Sequence, residues 1–192
     1  GGEPIWPVLR KPVVRWFFAS LFFHVMAHFS IYAFLSLYLD ARGYGKATIG
    51  LLWALSVLVE IAWFFGQGRL LRAMPMTRWL WVCGAATVAR MGLTGAAADW
   101  LLALVLAQVL HALSFATHHT ACIAMVTQHF PGRLRGRGQA LFTVVGYGFG
   151  GVLGVLAGGA VASRFGFEAM YGMATALALA ATWCARRTDR LA

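Results

Sequence analysis

The sequence predicts an all-α, polytopic membrane protein with six transmembrane helices. Three observations lead there. Of the 192 residues, 60% are hydrophobic and only 11% are charged, against about 25% charged in an ordinary soluble domain. The apolar residues fall into blocks of roughly 18 to 24, the length that crosses about 30 Å of hydrocarbon. The blocks lack the in–out alternation of a transmembrane barrel, so helices are the remaining way to satisfy the backbone in lipid.

The spans are read in order from their punctuation. Span one, 16–38, follows a proline-rich lead-in with Pro4, Pro7 and Pro12, and ends at "DARGYGKA". Span two, 48–68, ends at "RLLRAMPMTR", and span three, 79–98, ends at "AAADW". Span four, 101–126, stops at "QHFPGRLRGRG", span five, 139–162, stops at "SRFGF", and span six covers 167–184. Connections this short make consecutive helices antiparallel neighbours. Residues 1–15 are expected to be a connecting loop and 185–192 a short tail.

The net charge of +10 could suggest a nucleic-acid partner, but its placement excludes that. Twelve Lys and Arg lie before span one, between spans two and three, between four and five, and after six. Arg42, Lys46 and Arg164 lie on the other side. This bias puts both ends of the segment in the cytoplasm. Cys83, Cys122 and Cys184 fall in or at the end of spans and are read as buried thiols. No catalytic constellation, metal or cofactor is expected.

Glu60, alone in "LLWALSVLVEIAWFFG", is the residue that asks for a function. A charged side chain in hydrocarbon is costly and marks a pathway or a partner. At 1.5 Å per residue, Glu60, Arg90 and His111 lie about 18, 16 and 15 Å into their spans, all near the midplane. Glu60 is therefore expected to pair with Arg90 or His111. On span four, Gln108, His111, Ser114 and His118 share one face at 100° per residue, and should line water, with His119 at its edge. On span one, His24, His28 and Tyr32 share a face, and His28 is read as turned to the same cavity. Gly146, Gly150, Gly154 and Gly158 recur every four residues on span five. That is a small-residue seam for close helix packing, expected to meet a missing partner.

Six helices with a histidine in the first of each triplet suggest nested three-helix repeats. The stretches "LVEIAWFF", "ATVARMGLTG", "LAQVLHALSFATHH" and "HFPGRLRGRGQALF" together resemble the C-terminal half of major facilitator superfamily transporters, in the lactose permease and phenylpropionate transporter branch. The resemblance implies that Glu60, Arg90 and His111 occupy the coupling and substrate-contacting positions. It also implies that His28 and His119 match phenylpropionate-type members, and that an N-terminal six-helix half is the missing partner. The expected activity is proton-coupled symport of a small organic solute, a sugar or an aromatic or other organic acid, across the inner membrane. Departures are visible. Ser114 stands where the sugar permease has its second carboxylate, Gln108 where it has a lysine, and the loop "GRLLRAMPMTR" lacks the family's aspartate. Two other readings fit parts of the chain: a membrane metalloenzyme using Glu60, His111, His118 and His119, and a non-transporting scaffold held by the glycine seam.

Overall fold

A computed structural model describes residues 4–192. After a single helical turn at Trp6–Leu9, six long helices follow: α1 (Pro12–Ala41), α2 (Lys46–Leu71), α3 (Met76–Ala96), α4 (Leu101–His129), α5 (Gly132–Phe165) and α6 (Phe167–Leu191). Pro12 sits in the first turn of α1, where its missing N–H is not needed and its fixed φ already suits a helix. The reversal between α5 and α6 takes one residue, Gly166, at φ +88°. That conformation is open to glycine without a Cβ penalty. Gly43 at φ +85° closes α1 in the same way.

The helices overrun the expected spans. α5 begins within "PGRLRGRG", with a short 3-10 turn at Gly132–Leu134. The expected C-terminal tail is helix through Leu191. Its last turns are fastened to α3: Thr77 Oγ1 donates to Asp189 Oδ1 at 2.6 Å and Trp81 Nε1 to Oδ2 at 3.3 Å. α1, α2, α4 and α5 are each long and apolar enough to cross a membrane. The other two, α3 and α6, pack along each other. Their contact needs small residues. A Cβ on Gly84 would fall 2.5 Å from Thr182 Oγ1, and one on Gly95 would fall 2.7 Å from Tyr171 Cβ.

α6 also packs on α1, while α2 and α5 lie at the periphery with much of their apolar surface open. The glycine seam of α5 meets α1 of the same chain. A Cβ at Gly150 would lie 3.0 Å from the Phe22 carbonyl oxygen, and one at Gly154 would lie 2.7 Å from that of Met26. At Gly146 the neighbour is Leu21 and at Gly158 it is Phe34. This corrects the expectation that the seam waits for a second half: α1 already fills it.

At one end of the bundle a single cation gathers three connections. Arg42, after α1, pairs with Asp99, between α3 and α4, and with Glu168, at the start of α6. Tyr44 Oη donates to the Ala98 carbonyl at 2.6 Å beside it. Two apolar clusters fill the bundle. One, near the chain ends, includes Val14, Phe17, Leu21, Trp79, Leu80 and Phe130. The other, toward Arg42, includes Ile31, Leu35, Tyr38, Met91 and Tyr171. Between these clusters lies a layer of buried polar side chains, and the candidate site is built there.

Candidate functional site at the polar layer

Glu60 of α2, Arg90 of α3 and His111 of α4 meet in that layer. His111 is the central member. Its Nε2 lies 2.6 Å from Glu60 Oε2, and its Nδ1 lies 2.9 Å from Arg90 Nη1. The chemistry of the partners fixes the proton. A guanidinium has only donors, so Nδ1 must accept, and Nε2–H then donates to the carboxylate. Glu60 and Arg90, the two charges, therefore make no direct contact; an imidazole of fixed tautomer joins them. The tautomer is set by the hydrogen bond made at the opposite nitrogen.

Arg90 is 1% exposed. Nη1 also donates to Ser114 Oγ at 3.1 Å and Nη2 to Gln108 Oε1 at 3.2 Å, while Nε is buried without a hydrogen-bond partner. Gln108 and Ser114, expected to line water, are instead fully buried as acceptors for the guanidinium. That is a correction to the wet stripe on span four. His118 is corrected with them. It is buried and faces α1, where its ring stacks on His24 with centroids 3.4 Å apart and planes 3° from parallel.

The reason lies in the backbone of α4. Residues Ala112–Thr117 form a π-helical stretch, so the 100° step used to place His118 relative to His111 does not hold across it. Thr117 Oγ1 donates to the Ala112 carbonyl at 2.8 Å within this stretch. His24 Nε2 donates to the Ser114 carbonyl at 2.6 Å from across the bundle. π segments inside α-helices occur frequently at functional sites. A second one spans Thr143–Gly150 in α5, along the glycine seam.

His28 is buried one turn from His24, stacked on it at 4.6 Å, with Nδ1 donating to the His24 carbonyl at 3.0 Å. Tyr32 is 39% exposed. With Trp53 and Phe115 it forms an aromatic wall: Tyr32 stacks on Trp53 at 6.3 Å and meets Phe115 edge-on at 6.2 Å. Phe115 in turn stacks on His111 at 5.0 Å, and on half-buried His119 at 6.3 Å. Glu60 keeps 28% of its side chain exposed beside this wall. The opening is thus carboxylate and aromatic, with the cation sealed behind.

Ser20, one turn before His24 on α1, turns to α6 and donates to the Ala181 carbonyl. Phe115, Trp53 and the His24–His118 stack were not anticipated. Aromatic residues in an apolar span carry no signal that separates a wall from packing. Among the described residues no grouping of His, Cys, Asp and Glu has a metal-holding arrangement. The His24 and His118 rings meet face to face, so their in-plane lone pairs do not converge. The three cysteines are free and buried.

The comparisons with known proteins agree with this architecture. The family model described as the MFS_1 like family matches residues 3–173. The chain is 30% identical over 124 residues to the "Probable 3-phenylpropionic acid transporter" of Escherichia coli (strain K12). That match covers 64% of this chain and 32% of the relative, so it spans about a third of the relative's length. No solved structure matches. The helical bundle, its intramembrane charges and the match over most of its length lead to one assignment: the chain belongs to the MFS_1 like family of the major facilitator superfamily.

Proposed function

We propose that this chain is the C-terminal six-helix half of a proton-coupled symporter that carries a small organic solute, foremost an aromatic carboxylic acid, across the inner membrane. The observation that carries the reading is the Glu60–His111–Arg90 relay, held at mid-depth and open on its carboxylate side. The aromatic wall of Tyr32, Trp53 and Phe115 beside Glu60 suits a planar apolar body. The transporter relative named for 3-phenylpropionic acid supports the solute class.

The relay gives the proton one landing place. A proton on Nδ1 of His111 would displace the Arg90 hydrogen bond and set a second cation against the guanidinium. A proton on Glu60 costs only the charge assistance of the Nε2–H bond. Glu60 is the carrier, and His111 reports its state to Arg90. Alternating access would then proceed by rocking of this half against its N-terminal partner.

The test is uptake of labelled 3-phenylpropionate into vesicles holding the full-length protein, with an imposed acid-outside gradient. Accumulation should be lost in Glu60→Gln while counterflow persists. A Glu60→Gln protein that accumulates as well as the wild type would remove Glu60 from the carrier role.

A further inference from the structure

We infer that a groove on the outer face of α1 and α6 binds an acidic phospholipid, with the lipid phosphate on Arg187 and Arg15 and an acyl chain along the two helices. The inference stands apart from the symporter reading, since none of these residues belongs to the Glu60 site. Arg187 is the focal residue. Its guanidinium lies over the Trp16 ring, 5.5 Å from the centroid, and over the Trp183 ring at 6.0 Å. The two indoles meet edge to face with centroids 5.0 Å apart. Ring contacts of this kind use the flat face of a guanidinium and leave its in-plane N–H groups free. Those groups form the fork that fits a phosphate.

The protein supplies no acid of its own for that fork. Among the described residues, no Asp or Glu lies within ion-pair distance of Arg187 or Arg15. Asp189, two residues further on, is held by Thr77 and Trp81 of α3. Arg186 belongs to the same flank, with its guanidinium 5.4 Å from the Trp81 centroid. On the α1 side a hollow of about 410 Å³ opens beside Trp16, lined by it with Arg15 and Ala19.

The order of residues along both helices suits a lipid better than a free anion. α1 and α6 run antiparallel, with Trp16 against Trp183, Ser20 against Ala181 and Ser30 against Tyr171. On α6, Arg187, Trp183 and Leu179 follow one another at four-residue steps, and on α1 so do Arg15, Ala19 and Phe23. Each step is about 6 Å along the axis and about 40° round it. Both rows therefore run from a cation, at the same end of the bundle, to an apolar side chain about 12 Å deeper. Trp183 and Leu179 are 57% and 55% exposed, and Ala19 and Phe23 are half-buried, so open apolar surface continues below the cations. A phospholipid has the same sequence of parts: a phosphate, an interfacial layer where indole rings settle, then a chain. A free phosphate would use only the top of it. The charge bias places this end in the cytoplasm, where acidic lipids attract juxtamembrane cations.

The groove also faces away from the opening at Glu60. Phe23 precedes Tyr32 by nine residues of uninterrupted α-helix, which is about 180° round the axis. Tyr32 belongs to the aromatic wall, so Phe23 and Ala19 lie on the opposite side of α1. α6 contributes no residue to the wall or to the relay. A second half seated over the opening leaves this groove to the bilayer.

The experiment titrates the full-length protein in detergent with phosphatidylglycerol and, separately, with phosphatidylcholine, and reads bound lipid by native mass spectrometry. Phosphatidylglycerol should be retained the more tightly. Its affinity should fall about fivefold in Arg15→Gln or Arg187→Gln and roughly thirtyfold in the double variant. Arg190→Gln removes the same charge from the same end of α6 and should change little. Arg15 makes no side-chain contact to a described residue, so Arg15→Gln decides the matter if Arg187→Gln melts early. Unchanged affinity in Arg15→Gln and in the folded double variant would overturn the inference. Equal loss in Arg190→Gln would overturn it too, by reducing the site to a general positive field. Equal retention of phosphatidylcholine would remove the charge from the recognition. Displacement of phosphatidylglycerol by inorganic phosphate would make the site one for a free anion and overturn the lipid assignment. Uptake is not the readout, so failure here leaves the symporter reading intact.

Discussion

Replacing Gly154 with alanine should loosen α5 from α1. The added Cβ would lie 2.7 Å from the Met26 carbonyl oxygen, 3.1 Å from Phe29 Cβ and 3.3 Å from Met26 Cα. Two of the three are backbone atoms and cannot rotate away. The helices must part by roughly 0.7 Å to reach ordinary contact, and a gap of that size forfeits about a quarter to a half of each dispersion contact along the seam. Overpacking of this kind costs about 1–3 kcal/mol. For a chain of this length each kcal/mol lowers Tm by about 2–4 °C. Gly159→Ala and Gly172→Ala are the controls. The first would meet only Phe34 Cζ at 3.6 Å and the second nothing within 4 Å. Thermal unfolding in detergent can be followed with a thiol-reactive dye, because Cys83, Cys122 and Cys184 are buried and become reactive on unfolding. A Gly154→Ala protein that melts with the wild type, while the controls do too, would refute the close approach of α5 to α1.

Two further outcomes are expected. Single cysteines placed at Arg72 and Arg42 should differ in intact cells, with an impermeant reagent labelling Arg42→Cys and sparing Arg72→Cys; the reverse would overturn the orientation drawn from the charge bias. Glu60→Gln alone should destabilise by a few kcal/mol at most. Breaking a buried pair costs about 3–5 kcal/mol, but Glu60 is partly exposed, and His111 still holds Arg90. Adding Arg90→Gln should recover stability without transport, as measured by melting and uptake together, and an active double variant would make the pair purely structural.

The helices were legible because lipid forces long apolar runs, and the proximity of Glu60 to His111 followed from counting depth along straight helices. Rotation was less legible. One π segment between Ala112 and Thr117 was enough to move His118 from the face of His111 to that of His24. Nothing in "ALSFAT" announces it, since one of its side-chain bonds comes from His24 on α1, and a threonine hydroxyl such as that of Thr117 bonds back to a carbonyl in ordinary helices too. The glycine seam was visible as a four-residue repeat, but a repeat names no partner. It took the packed positions of Phe22 and Met26 to show that α1 fills it. Gly84 and Gly95 carry the α3–α6 contact without forming a four-residue repeat, and so passed unnoticed. Arg42, Asp99 and Glu168 lie far apart in sequence, and local pattern gives no reason to join them.

That last trio bears on how the protein is made. Asp99 and Glu168 belong to hairpins that cross the membrane at different moments of synthesis, and Glu168 comes last. Arg42 has its second carboxylate only after the final hairpin has been delivered. Until then the first two hairpins are joined at this end by Arg42–Asp99 and by the Tyr44 hydrogen bond to Ala98. The knot is a fastening that closes on completion, and a chain arrested before Glu168 would lack α6 and leave that end open.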